Sequence, residues 1–258
     1  MPTLRADDQT ELSYRVIGSG PRTVVMVHGW MASGSVFDDL LEVLDHEGLK
    51  LIVPDLRGTG ASEPSRSGYS LERYARDVVA IADAAGAQTF TVLGHSMGGQ
   101  IAQWIASEVP ERVNGLITLC SVPASGAQLP PEARELFSTA AGDEGKLGTI
   151  LDLACKQLPE NAKARMVATA VRIEDACIRG AFEAWTAGGF TERLASISAP
   201  TLVIASDDPF LPPALQRSEI QQRITRSRMA YLPGPGHYPL NERPAETAAI
   251  VSAFLAGA

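Results

Sequence analysis

The stretch Gly94-His95-Ser96-Met97-Gly98-Gly99 constrains this chain more than any other, because an apolar, β-branched run at 89–93 leads into it and a helical pattern starts at Gln100. A serine between a strand and a helix, at the tip of G-x-S-x-G, must take backbone angles that L-residues avoid. Only small flanking residues let the two backbone segments pass so closely. Gly94 and Gly98 meet that demand. The pattern predicts a nucleophile elbow, with the Ser96 hydroxyl lifted clear and the following helix aiming its N–H groups and positive end at charge developing there.

A serine hydroxyl is a weak nucleophile at neutral pH and needs a histidine to take its proton and a carboxylate to orient that histidine. Four histidines are available. His28 falls in a glycine turn after a strand, His46 in an expected amphipathic helix, two residues beyond its pattern at 36–44, and His95 beside the serine, where the turn directs its side chain elsewhere. His237 stands in Leu232-Pro233-Gly234-Pro235-Gly236-His237-Tyr238-Pro239, between an apolar strand at 229–232 and a helix from about Pro244. A loop after the last strand of an open α/β sheet lies at its carboxyl edge, so His237 is the candidate base. The run at 201–205 reads as a buried parallel strand ending in Asp207 and Asp208, one of which serves as a turn or capping acid. The strand at 115–120 ends in Ser121-Val122-Pro123 without an acid. Oxyanion stabilisation needs two backbone donors. Met97 N–H is one candidate and Trp30 N–H, in His28-Gly29-Trp30 after the strand at 22–27, the second; that triplet alone reads equally well as a glycine turn with a core tryptophan.

These stretches together resemble the α/β-hydrolase family, from about Thr10 to Leu255. The matching motifs are His28-Gly29 after the third strand, Asp55-Leu56-Arg57-Gly58-Thr59-Gly60-Ala61-Ser62 after the fourth, 94–99, the strand end near Asp208, and Gly236-His237. The order Ser, Asp, His is the family's. Its spacing of a small residue, the acid three later and a proline four further maps onto Ala205, Asp208 and Pro212, and so implies Asp208 rather than Asp207 as the acid. Within the family the chain is similar to small bacterial carboxylesterases, the cofactor-free haloperoxidase or aryl esterase group, and enol-lactonases. Perhydrolase-like members often carry proline after the aromatic oxyanion residue. Met31 stands there, which turns the expectation toward plain ester hydrolysis. Members with dehalogenase or epoxide hydrolase chemistry place aspartate where Ser96 stands.

The expected fold class is α/β: a mostly parallel central sheet flanked by helices, with a helical cap inserted after the sixth strand. Residues 1–121 and 199–258 form the expected core and 122–198 the cap, with helices near 131–140, 147–157, 161–171 and 174–184. With 258 residues, 45% of them hydrophobic, no second core is needed. A cap over the strand ends shapes the substrate. Phe182, Trp185 and Phe190 are candidates to line an apolar pocket with Trp30, Phe210 and Tyr238, the alternative being plain helix packing.

A net charge of −8 argues against nucleic acid or an anionic membrane surface as partner. The chain shows neither a basic leader before an apolar core nor a run of ~18 apolar residues, so cytoplasm is the expected compartment. Cys120, Cys155 and Cys177 are expected as buried thiols in a strand and two cap helices, without metal spacing. Gly58-Thr59-Gly60 lacks dinucleotide spacing, and Arg57 with Asp55 is expected to brace its loop. No cofactor and no metal are expected. The expected activity is hydrolysis of a small to medium, moderately hydrophobic carboxylic ester through an acyl-enzyme. Alternatives with the same triad are a lactone or enol-lactone hydrolase, a carbon–carbon bond hydrolase, and a ligand receptor with residual hydrolysis. No oligomeric state follows from the sequence.

Overall fold

Apolar β-branched runs separated by amphipathic helices fold into one eight-stranded sheet in the computed structural model, which describes residues 1–65 and 67–257. The strands are β1 (Thr3–Arg5), β2 (Glu11–Ile17), β3 (Arg22–Val27), β4 (Leu49–Pro54), β5 (Phe90–His95), β6 (Val113–Leu119), β7 (Thr201–Ser206) and β8 (Ser227–Leu232). Their order is β1-β2-β4-β3-β5-β6-β7-β8. β1–β2 and β2–β4 pair antiparallel, and the other five pairs are parallel. All six residues of β5 and of β7 are buried, as parallel strands covered on both faces require.

Register decides where the site can be. Val27 pairs with Gly94, His95 with Leu119, Leu119 with Ile204, and Ser206 with Leu232. The carboxyl ends of β3, β5, β6, β7 and β8 therefore fall along one edge, and β3 and β5, neighbours in space but not in sequence, open the crevice where such sheets bind ligands.

The core helices are α1 (Asp38–Leu41), α2 (Leu71–Ala84) and α3 (Met97–Glu108). Ser70 caps α2 by accepting the Arg73 N–H, and Leu71, Tyr74, Ala75, Val78, Ile81 and Ala82 form its buried stripe. Asp77 lies on that same face, 1% exposed. Its carboxyl oxygens meet the Arg57 guanidinium at 2.5 and 3.0 Å and that of Arg73 at 2.6 Å, so the buried acid is fully partnered.

Between β6 and β7 the described chain holds helices only: α4 (Pro131–Ser138), α5 (Glu144–Ala154), α6 (Glu160–Ala170) and α7 (Asp175–Ala187), then a 3-10 helix (Thr191–Ser196). After β7 come α8 (Pro213–Glu219), α9 (Pro239–Glu242) and α10 (Pro244–Ala256). No helix among the described residues is long and apolar enough to cross a membrane.

Several local expectations need correction. The helix expected at 36–44 is a 3-10 turn (Gly34–Phe37) followed by the single turn α1, because the Ser33 hydroxyl captures Ser35 N–H and tightens the start. His46 consequently sits in the connection to β4, which Gly48 turns with φ 69°. Arg57 does not pair with Asp55. Asp55 instead accepts Gly34 N–H (2.8 Å) and Ala61 N–H (2.9 Å), while Arg57 turns inward to Asp77 and Asp8. Cys120 lies just past β6, and Cys155 is only half-buried at the end of α5.

Candidate active site

Ser96 joins β5 to α3 with φ 57° and ψ −124°, a conformation that costs an L-residue about 1–3 kcal/mol and persists only where its surroundings impose it. The surroundings are backbone. A Cβ on Gly94 would strike the Gly98 carbonyl, and one on Gly98 would strike the carbonyls of Val27 and His28. The glycines thus let β5, α3 and the loop after β3 close on one another, and Ser96 is left half-buried among fully buried neighbours.

The structure brings three side chains from distant strand ends together. His237 Nε2 lies 2.9 Å from Ser96 Oγ, and its Nδ1 lies 2.5 Å from Asp208 Oδ2. A carboxylate only accepts, so Nδ1 carries the ring proton and Nε2 is free to accept the serine O–H. Asp208 is 2% exposed. Its other oxygen accepts Phe210 N–H (2.8 Å) and Leu211 N–H (3.1 Å), which orients the carboxylate before the histidine arrives. Burial pushes the Asp208 carboxyl up, but the His237 charge and hydrogen bond with the two amides outweigh it and hold it below the usual range. Asp207 takes the other part: it accepts from the Tyr231 hydroxyl and from Gly234 N–H (3.1 Å), bracing the loop toward His237.

The loop after β3 runs against the elbow, where a Cβ on Gly29 would sit 2.9 Å from Ser96 Cβ. Among the described residues no acceptor takes the backbone N–H of Trp30 or Met97. Those are the two donors expected to face an oxyanion. Met31 has φ 51°. His28 anchors the loop from within: its Nε2 accepts Leu56 N–H (3.0 Å), so Nδ1 carries the proton and donates to the Gly29 carbonyl (2.8 Å). Burial pulls the His28 pKa down, keeping the ring neutral against the pull of Asp55.

His95 also does more than point away. Its ring packs 5.0 Å from His237 and 4.7 Å from Tyr238, and its Nε2 donates to the His237 carbonyl at 2.8 Å. Burial, then the neighbouring His237 charge, push its pKa down to about 3. No motif marked this residue; only its place beside the elbow could have drawn attention to it.

Above these groups lies a cavity of about 490 Å³. Trp30, Trp185, Phe210 and Tyr238 line it, as expected, but Phe182 and Phe190 do not. Phe182 is fully buried behind the lining, 5.2 Å from Trp185, and Phe190 packs edge-on to Trp104 of α3 at 4.8 Å. Phe137 of α4 takes the expected wall position instead, stacked on Trp30 with centroids 5.3 Å apart and an interplanar angle of 4°. The Trp30 indole N–H donates to Ile178 O of α7 (2.8 Å), so the cap also fixes the loop after β3. Met31, Leu129, Ile150, Leu211 and Leu215 extend the apolar lining. Among the described residues the lining holds no Lys or Arg, and its one carboxylate, Glu219, bonds Arg223 at 3.2 Å.

The sheet and its flanking helices form an α/β-hydrolase fold. A family model described as alpha/beta hydrolase fold matches residues 22–144. The chain is similar to a non-heme haloperoxidase of Rhodococcus erythropolis, 28% identical over 92% of this chain and 93% of the relative. A shorter match, 35% identical over 47% of this chain and 45% of the other, is to the pimeloyl-[acyl-carrier protein] methyl ester esterase of Vibrio campbellii. Among solved structures, an esterase from Exiguobacterium antarcticum superposes with TM-score 0.90 at 24% identity, over 98% of each chain.

Proposed function

We propose that this protein is a serine hydrolase that cleaves neutral, moderately hydrophobic carboxylic esters of small to medium size. The observation that carries the reading is the continuous hydrogen-bonded series Asp208–His237–Ser96 at the floor of an apolar cavity. In this scheme Ser96 Oγ attacks the ester carbonyl carbon as His237 Nε2 takes its proton. Asp208 holds the ring in the productive tautomer and stabilises the imidazolium. The N–H groups of Trp30 and Met97 receive the tetrahedral oxyanion, the term expected to carry most of the rate. His237 then protonates the leaving alcohol. Water, deprotonated by the same Nε2, releases the acid and restores Ser96. The scheme asks for no cofactor.

The lining favours the substrate class. A carboxylate on the substrate would be desolvated against aromatic and aliphatic walls with no Lys or Arg to receive it, and Glu219 would repel it. Neutral esters, and neutral lactones that open by the same acyl chemistry, escape that penalty. Met31 speaks against peracid-forming chemistry of the kind that places proline there: its φ of 51° lies far from the value near −65° to which a proline ring is locked.

The test is a series of p-nitrophenyl esters of graded acyl length, a neutral lactone and a carboxylate-bearing ester, with wild type and Ser96→Ala. Wild type should turn over the neutral esters many times and discriminate against the carboxylated one. Ser96→Ala should lower kcat by roughly four to six orders of magnitude with folding intact. A serine-directed phosphonate that labels another residue, with Ser96→Ala still active, would overturn the assignment. A wild type that binds ligands but does not turn over would favour a receptor.

A further inference from the structure

Glu242 is a buried carboxylate that the scheme above leaves unused. It ends α9 and is 7% exposed. Its Oε1 accepts Gly236 N–H (3.0 Å) and Tyr238 N–H (3.2 Å). Its Oε2 accepts Gly236 N–H (3.0 Å), Lys156 N–H (2.9 Å) and Gln157 N–H (2.7 Å). The amides on either side of His237 and two amides that follow cap helix α5 therefore converge on one side chain. The loop's other backbone groups are also engaged. His237 N–H donates to Ala154 O (2.9 Å), the last residue of α5, and Gly236 O accepts the Ser206 hydroxyl (2.6 Å).

This stretch has no regular structure of its own, so the ring of His237 is only as well placed as these partners make it. Its two side-chain bonds, 2.9 Å to Ser96 and 2.5 Å to Asp208, leave little room for drift. A displacement near 1 Å at a reacting group costs on the order of 10²-fold in rate. The chemistry of the clamp is specific as well. Each of these amide partners is an N–H donor, and a carboxylate offers two oxygens that both accept. Each oxygen faces at least two of these donors, so a glutamine, whichever way its amide turned, would set an NH₂ against N–H groups.

We propose that Glu242 is a positioning residue: by tying the backbone on both sides of His237 to the end of cap helix α5, it holds the imidazole in line between Asp208 and Ser96. The inference rests on the reading of His237 as the base. It makes the cap a support of the catalytic histidine as well as a wall of the cavity.

The experiment compares Glu242→Gln with a neighbouring control, Asn241→Ala, whose lost amide donates to Val36 O (3.1 Å) and Asp39 Oδ2 (2.9 Å), away from the histidine loop. Two readouts are taken: kcat and KM on p-nitrophenyl butyrate, and the low-field proton resonance of His237 Nδ1–H, assigned by its loss in Asp208→Asn. Glu242→Gln should lower kcat by about 10²-fold, leave KM within about threefold, and shift or broaden the low-field resonance. Asn241→Ala should lower thermal stability while holding kcat within about twofold and leaving the resonance in place. If Glu242→Gln does not fold, Glu242→Asp, which keeps an acceptor-only group one methylene back, is read by the same two signals. Wild-type kcat and an unaltered resonance in the folded variant would overturn the proposal, as would an equal loss of kcat in Asn241→Ala. A wild type inactive on every ester, whose resonance still responds to Glu242→Gln, would instead defeat the esterase reading and leave the positioning role standing.

Discussion

The carboxyl edge of the sheet and the helical cap meet at the same cavity, but different physics holds each in place. At the edge, position follows from backbone: parallel register lines up the ends of β3, β5, β7 and β8, and strained or close-packed main chain at Met31 and Ser96 leaves those residues no alternative. In the cap, position follows from side chains packing on side chains, as where Phe137 stacks on Trp30 and Phe182 wedges against Trp185. Backbone register tolerates little variation, whereas aromatic packing can be rearranged by changing one ring. In the proposed scheme the groups that make and break bonds sit on the first kind of support, and the groups that would select a substrate sit on the second.

If that division holds, the largest losses come from the edge and should separate two adjacent residues. Asp208→Asn should lose about 10³ to 10⁴ in kcat, since an amide at this place favours the wrong imidazole tautomer. Asp207→Asn, which only loosens the loop bonded to Tyr231 and Gly234, should stay within about tenfold of wild type. Steady-state kinetics on one short-chain ester measures both. A reversal of the two losses would move the acid to Asp207.

A cap change should redistribute activity among substrates. Phe137→Ala removes a wall of the cavity without touching Ser96, His237 or Asp208. It should shift the acyl-length optimum toward longer chains and cost roughly tenfold in kcat/KM on the shortest ester. An acyl-length profile of unchanged shape, with a uniform fall in rate, would show Phe137 supporting the edge and break the division. Its cost in stability should also be smaller than for Phe90→Ala in β5, which should approach about 3–5 kcal/mol, because one face of Phe137 already borders empty space.

The smallest effect concerns pH and stability. His95 is held neutral, with its pKa lowered from 6.5 to about 3, and burial lowers His28 in the same direction. Between those two values for His95 the unfolded chain binds a proton that the folded protein refuses, so stability falls as pH drops below 6.5. The depressed carboxyl of Asp208 adds to the loss at lower pH. His95→Gln should reduce the proton uptake on unfolding at mildly acidic pH by about one. Calorimetric unfolding in buffers of different ionisation enthalpy reads that number, and an unchanged uptake would mean His95 is protonated in the folded state.

The parts of the site readable from the chain are those whose cause is local. The elbow is legible because the demand for small residues at 94 and 98 and the switch from strand to helix all lie within a dozen residues. His237 is legible from its Pro- and Gly-rich loop after the last strand. Choosing between Asp207 and Asp208 required a family spacing, since both end the same strand. The pocket residues were only partly legible. Their aromatic character marks Phe182, Trp185 and Phe190 as candidates for burial, but it does not distinguish a position that meets another side chain from one that meets a cavity. The buried acids Asp77 and Glu242 escaped the sequence reading for a related reason. Asp77 has one partner on its own helix, Arg73, but Arg57, like the loop amides around His237 that meet Glu242, comes from another segment.

Alternating apolar runs and helical patterns sufficed for the fold class and for the order in which nucleophile, acid and base occur, because secondary-structure periodicity and turn chemistry act between near neighbours. Tertiary structure alone decided that three residues far apart in sequence lie within hydrogen-bonding distance, that Phe137 rather than Phe182 faces the cavity, and that one glutamate ties the cap to the histidine loop. Those outcomes depend on sheet register and on the packing of helices across it, which no short stretch of sequence specifies.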